Sequence, residues 1–357
     1  MRSWKLSPGL SVVWAAFAMS MLMAGTRAAA QSETVLYNFP SISTDGTFPE
    51  SGLILDAAGN LYGTASEGGA NGGGAVFEVT PTTGGGWTET TLFSFTYNLD
   101  NSGVAGANPY GRLIFDAAGK LYGTTAYGPY RAGTVFELTL AAGGGWDQKV
   151  VHAFGSYGTD GLFPNGGLIR DAAGNLYGTT SQGGSFGYGS VYQLVESKTG
   201  WTENVIYNFQ AQSDGETPYS GLTFDKAGNI YGGATDGGGN SGGTIFELSH
   251  NPSGGWSFST LYSTPGYGVS GPFRTPYVDA NGNVFGTTHC DGEYSAGSIY
   301  ELSSSPSGWT YTSLHDFTGG TDGGYIFANP VFDASGNIYG TSQIGGGGYG
   351  VVWEVSP

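Results

Sequence analysis

The stretch "DAAGNLYGTT" at residues 171–180 has close copies starting at Asp56, Asp116, Asp225, Asp279 and Asp333. Aligned on the six aspartates, the spacings are 60, 55, 54, 54 and 54 residues. A period of this length marks a supersecondary unit repeated six times, which limits the chain to an array or a ring of such units. Each unit contains short runs rich in β-branched and aromatic residues, bounded by Gly, Asp, Asn and Pro. In the first unit run a is "GLILD" (52–56), run b "NLYGTA" (60–65), run c "AVFEV" (75–79) and run d "TLFSF" (91–95). No stretch beyond the first thirty residues has an apolar period of 3.6, so the fold class is all-β.

Runs a, b and c each occur six times, but run d follows run c only five times. The sixth run d, "TVLYNF" at 34–39, precedes every other element, while the last run c ends beside Pro357. The two ends therefore read as complementary pieces of one unit. A ring needs this arrangement, because the first strand completes the last sheet and removes the open edges. A linear solenoid would instead need capping repeats at both ends. The sequence predicts a six-bladed β-propeller with four antiparallel strands per blade, the closing blade completed by the N-terminal strand. Two β-sandwiches, or a seven-bladed ring closed by a partner, account less simply for the split unit.

Within the repeat, "DAAGN" suits a hairpin loop on a type I turn with Gly in the left-handed position. The Asp accepts bonds from following backbone N–H groups. The Tyr of run b is expected between blades. The Gly after it (Gly63, Gly123, Gly178, Gly232, Gly286, Gly340) is expected to let neighbouring backbones approach. The Trp of each "GW" pair is expected to cover a blade's outer edge.

Residues 1–30 read as a signal peptide: Arg2 and Lys5, an apolar run from about Leu10 to Gly25, and a small-residue cleavage site after Ala30. The propeller domain is then 31–357. It carries eight Lys and Arg against 28 Asp and Glu, a formal charge of −20. That balance excludes nucleic acid and anionic lipid as partners. Cys290 is the sole cysteine, so neither an internal disulfide nor a cysteine zinc site is possible. With no further apolar span, the mature chain is expected to lack an integral membrane segment and to be a monomer, secreted or periplasmic.

The pattern "LIxDAAGNLYGTT…GG…G.VFEL…GW…F" covers nearly all of 34–357. It resembles the Gloeobacter/Verrucomicrobia-type repeat of the choice-of-anchor tandem repeat (GloVer) family. The resemblance implies a bacterial protein that is exported and, in members with a C-terminal sorting signal, held at the cell surface. The closing "VVWEVSP" reads as a strand rather than an anchor, so free secretion or the periplasm is equally expected. More loosely, the hairpin is similar to NHL and streptogramin-lyase propellers, a likeness of fold that carries no function.

Departures from the repeat are where chemistry belongs. In a propeller the d–a and b–c loops share one face. Asp45, Asp160, Asp214 and Asp322 recur eleven residues before the aligned Asp, with Ala105 and Gly268 in their place in units two and five. They read either as Asp-Gly turns or as a rim of carboxylates for sugar hydroxyls or Ca²⁺. No other cofactor is implied. Aromatics flank the Pro position of each unit; Tyr110, Tyr219 and Phe273 are the ligand-stacking candidates, with Phe48, Phe163 and Tyr325 or Phe327 in related places. Plugging the top of the core is the alternative. Asn98, Asp100 and Ser102 sit at alternate positions before Gly103, like a calcium loop lacking its later Glu. In unit five, "TTHCDGEYSAG" (287–297) replaces a Gly-rich loop and makes His289 the one catalytic candidate; Cys290 reads as a small buried residue. "GGSFG" (183–187) lacks the strand-to-helix elbow of a nucleophilic serine.

These residues point to an exported binding or interaction module for an extracellular glycan or surface protein. A carbohydrate lyase or hydrolase acting at the axial face is the alternative, and a structural envelope component the third reading.

Overall fold

A computed structural model describes residues 35–39, 44–96, 105–251, 253–266, 271–348 and 350–356. The leader expected at 1–30, and Asn98, Asp100 and Ser102, lie outside these residues. The chain divides into Met1–Asn38 and Phe39–Pro357. Of the first unit residues 35–38 are described, without an assigned strand. No described helix is long and apolar enough to cross a membrane.

The second unit is all-β, a six-bladed propeller of six four-stranded antiparallel sheets. The first blade runs Ile54–Leu55, Leu61–Ala65, Gly72–Pro81 and Trp87–Thr96, paired in that order. The next four blades repeat this: the second ends with Thr134–Leu140 and Trp146–Ala153, the third with Ser190–Ser197 and Gly200–Asn208. In the sixth, Val331–Phe332, Ile338–Ile344 and Val351–Val355 pair in order, and Gly324–Ile326 pairs with the far end of Ile338–Ile344. The N-terminal run expected to complete this blade is described only at 35–39. Its last residue, Phe39, meets Phe77 edge-on with centroids 4.8 Å apart. Phe95 makes the same contact with Phe136 (5.1 Å), and Phe154 with Tyr192 (5.0 Å). Phe39 thus occupies the packing position that ends an outer strand.

The core lies in the seams between blades. One cluster joins Ile54, Tyr62, Val76 and Phe95 of blade one to Leu113, Leu121, Phe136 and Leu138 of blade two. The tyrosines of run b do bridge blades, as expected: Tyr62 meets Phe115 at 5.0 Å and Tyr177 meets Phe224 at 5.4 Å. The "GW" tryptophans differ from expectation. Trp201 faces Tyr122 and Trp256 faces Tyr177, each at 6.2 Å, so they close seams instead of covering free edges.

The repeated Gly also differs. It is not a backbone that approaches but a ring of the partner strand. Gly123 pairs with Phe136, and a Cβ on Gly123 would stand 2.5 Å from the Phe136 ring. At Gly178 the obstacle is Tyr192, at Gly340 Trp353. The glycine is thus a slot for the largest buried side chain of run c. Register shifts recur just before that aromatic, between Val76/Phe77, Val135/Phe136, Val191/Tyr192, Ile245/Phe246 and Ile299/Tyr300. These bulges steepen the local twist of the outer strand.

The opening motif is scaffolding. Asp171 Oδ1 accepts the Asn175 N–H at 2.8 Å, and its Oδ2 accepts Asn175 Nδ2 at 2.7 Å and the Tyr177 hydroxyl at 3.0 Å. Where Lys120 replaces the Asn, its ammonium pairs with Glu137 at 3.0 Å.

Candidate functional site

Counting back from the aligned Asp, position −6 holds Glu50, Tyr110, Asn165, Tyr219, Phe273 and Phe327, one from each blade. All six line one cavity of about 440 Å³. Contribution of the same repeat position by every blade places this cavity on the propeller axis. Local chemistry aims the six side chains. Position −8 is left-handed in five units, at Phe48, Asn108, Phe163, Thr217 and Tyr325, with φ between 54° and 59°. Pro49, Pro109, Pro164, Pro218 and Pro272 stand at −7. In two units the −6 N–H then closes onto the −8 carbonyl: Glu50 to Phe48 (3.0 Å) and Asn165 to Phe163 (2.9 Å). That is a three-residue turn with Pro at its centre, and Pro presets the φ it needs.

Hydrogen bonds between blades lace the next position. Thr64, Thr124 and Thr179 of run b donate to the carbonyls of Gly111, Gly166 and Ser220 at 3.4, 3.1 and 2.8 Å, and Thr287 to that of Ala328 at 2.9 Å. Blade four has Gly233 in place of this threonine, and there the following blade carries Arg274. In every other unit that column holds a small residue: Ser51, Gly111, Gly166, Ser220 or Ala328.

Arg274 is the feature that sequence reasoning missed. Its Nε donates to the Phe327 carbonyl, and its guanidinium carbon lies 5.6 Å from the centre of the Phe327 ring. No ion pair reaches it among the described residues. Burial draws its pKa down, while the charge of Glu50 across the cavity opposes that shift. A guanidinium does not lose its proton in a protein, so the cavity wall keeps a positive charge without a close counterion. The repeat held the signal: one Arg in a column of small residues.

Of the residues singled out from sequence, Tyr110, Tyr219 and Phe273 do meet at this cavity, with Phe163 and Phe327. Tyr219 and Phe273 lie 5.8 Å apart, and Phe273 and Phe327 5.5 Å. Phe48 is largely exposed, at 58%. His289 stands behind the wall, 4.2 Å from Phe327 and 5.2 Å from Phe273. Burial lowers its pKa, and the Arg274 charge adds to the shift, so the ring is held neutral. The neighbouring Asp291 is buried and accepts from Ser298 Oγ at 2.8 Å and from Thr288 Oγ1. No carboxylate pairs with His289 among the described residues. Cys290, expected to be buried, is only partly so; burial and then the Asp291 charge raise its thiol pKa.

The four aspartates do not line the cavity. Each holds its own loop. Asp214 accepts the Gln210 N–H at 2.9 Å and the Tyr207 hydroxyl at 2.8 Å. Asp322 accepts the Thr318 N–H at 3.0 Å, and Asp160 that of Ser156 at 3.1 Å. Asp45 accepts the Thr44 hydroxyl at 3.0 Å. Its charge also acts on Glu89, whose carboxyl is pushed up to about 7, chiefly by burial. Glu216, Asp236 and Glu247 are raised for the same first reason. At Asp56 and Asp171 burial also pushes upward, but the turn amides outweigh it and the net shift is downward.

Stability should therefore depend on pH. Acids with raised folded pKa bind protons more readily in the folded state, so stability increases as pH falls through 7 towards 5. Acids with lowered pKa have the opposite effect, and their contribution is lost as pH falls below about 4. The melting temperature is expected to rise from pH 8 to about pH 5 and to drop below about pH 4. Glu89→Gln should flatten the upper limb, as measured by scanning calorimetry across that range.

No curated protein matches the chain. Among solved structures, a candidate gluconolactonase is 14% identical, with 87% of this chain and 89% of that one covered and a TM-score of 0.48. A candidate 6-phosphogluconolactonase from Bacteroides uniformis is 12% identical, with 86% and 83% covered and a TM-score of 0.51. The second likeness is one of fold. The model of the Gloeobacter/Verrucomicrobia repeat matches residues 21–172 and 88–268, and the chain belongs to that family.

Proposed function

We propose that the protein is an exported binding module that takes an acidic sugar of an extracellular polysaccharide into its axial cavity. The observation that carries this reading is the pairing of an aromatic ring set with a half-buried guanidinium that makes no ion pair among the described residues, in one cavity. Tyr110, Tyr219, Phe273 and Phe327 offer faces to the C–H surfaces of a pyranose. Arg274 presents a planar fork to a carboxylate, the geometry in which such pairs are strongest. Glu50 and Asn165 complete the ring as partners for hydroxyls. A volume of about 440 Å³ lies within the ordinary range of small-ligand sites, roughly 300–1,000 Å³. The fold likeness to lactonases supplies no argument for catalysis.

A glycan array probed with the purified chain, carrying matched neutral and uronate-bearing oligosaccharides, tests the reading. Selective retention of the uronate-bearing members is expected. Equal retention of both sets, or of neither, would end it.

A further inference from the structure

A second site lies at the seam between the outer strands of blades two and three. His152 stands on Trp146–Ala153, Asp160 in the loop after it, and Glu203 on Gly200–Asn208. His152 Nε2 lies 3.8 Å from Asp160 Oδ1 and 3.7 Å from Glu203 Oε2. Both distances are too long for hydrogen bonds. The ligand atoms of all three residues fall within 4.8 Å of one another. The carboxyl side chains are almost wholly buried, with exposures of 0% for Asp160 and 3% for Glu203. Three polar atoms here are buried with no hydrogen bond of normal length, His152 Nε2, Asp160 Oδ1 and Glu203 Oε1, the two carboxyl groups facing each other. Such atoms carry a full desolvation cost unless something satisfies them.

The other seams show how the repeat usually avoids this cost. At the seam of blades three and four the equivalent residues are Tyr207, Asp214 and Phe258. Tyr207 donates to Asp214 at 2.8 Å and stacks on Phe258 at 3.9 Å. At the next seam Tyr262 stacks on Tyr311 at 4.1 Å. Only between blades two and three, among the described residues, does the chain replace these pairs with an imidazole and two carboxylates in mutual reach.

We propose that His152, Asp160 and Glu203 bind a divalent transition metal ion, Zn²⁺ by preference. One imidazole and two carboxylates form a donor set typical of zinc and its neighbours, and the imidazole disfavours Ca²⁺. Bonds of about 2.0–2.2 Å at tetrahedral angles put ligand atoms roughly 3.4 Å apart. The two imidazole–carboxylate separations, 3.8 and 3.7 Å, need only a few tenths of an ångström of closure, and the two carboxylates lie within 4.8 Å of each other. The supporting groups are in place. Tyr157 donates to Glu203 Oε2 at 2.5 Å, and the Ser156 N–H and hydroxyl hold Asp160 Oδ2 at 3.1 and 3.3 Å. These bonds orient the carboxylates as metal sites require. The ion would cross-link two blades at their outer strands.

The test uses the full chain, stripped with EDTA and titrated with Co²⁺, whose visible absorption reports a site of low coordination number. Saturation at one equivalent is expected, with reversal by Zn²⁺ and a higher melting temperature for the Zn²⁺-loaded chain. His152→Gln and Glu203→Gln should lose the absorption while keeping the circular dichroism of the parent. His315→Gln, at the more open pair His315–Asp322, should retain it. No saturable absorption, or absorption retained in His152→Gln, overturns the proposal. If the variants fail to fold, a Zn²⁺-soaked crystal of the parent decides. An anomalous peak about 2.1 Å from His152 Nε2 supports the site, and its absence there overturns it.

Discussion

Phe136→Ala is expected to lower the stability of the chain by about 3–5 kcal/mol, the range for emptying a large buried aromatic site. Phe136 is fully buried, lies over the slot of Gly123 on its own sheet, and meets Phe95 of the preceding blade. Its loss therefore opens one sheet and one seam together, and the glycine beneath has no side chain to collapse into the gap. The reverse change, Gly123→Val, should also destabilise, by about 1–3 kcal/mol or more, because the slot is already filled. Combining Gly123→Ala with Phe136→Leu should cost less than the sum of the single changes, since each relieves the other. Denaturant unfolding of the parent, the two single variants and the double variant measures this. Additivity would show that slot and ring are not one packing unit.

Arg274→Met is expected to move stability and binding in opposite directions. The guanidinium is half-buried with no carboxylate within ion-pair distance among the described residues, only the Glu50 charge across the cavity, and replacing a poorly compensated charge with an apolar side chain of similar volume is often neutral or stabilising, by about 1–4 kcal/mol. The melting temperature should hold or rise. Affinity for a uronate-bearing ligand should fall by roughly 10- to 100-fold, the equivalent of losing charged hydrogen bonds worth about 1.5–3 kcal/mol. Titration calorimetry and thermal unfolding on the same preparation separate the two effects. A variant that melts lower and binds unchanged would make Arg274 a structural residue and remove it from the site.

The repeat made the blades legible because period, turn residues and strand composition all point the same way. Position −6 was partly legible. Tyr110, Tyr219 and Phe273 stood out as aromatics, but Glu50 and Asn165 share their column without sharing their chemistry. Asp45, Asp160, Asp214 and Asp322 show why recurrence is an ambiguous signal. The spacing located their loops, whereas the direction of each carboxylate depends on which backbone N–H groups its turn presents. Of the His152 seam only Asp160 stood out in the sequence, and without its partners. Its three residues come from two units, and only the packing of one outer strand beside the next brings them together. The tryptophans illustrate the same limit: a residue that opens an outer strand looks like an edge until the neighbouring blade is in place.

The left-handed residue and proline that precede the axial ring have one more consequence. In the four blades that have both, they hold the backbone whatever side chain stands next to them, so the positions of Glu50, Tyr110, Asn165 and Tyr219 are free to change identity without refolding their neighbours. A gene built from such units can retune its specificity by point substitution at a handful of codons, one blade at a time. Relatives with identical frames are then expected to recognise different molecules.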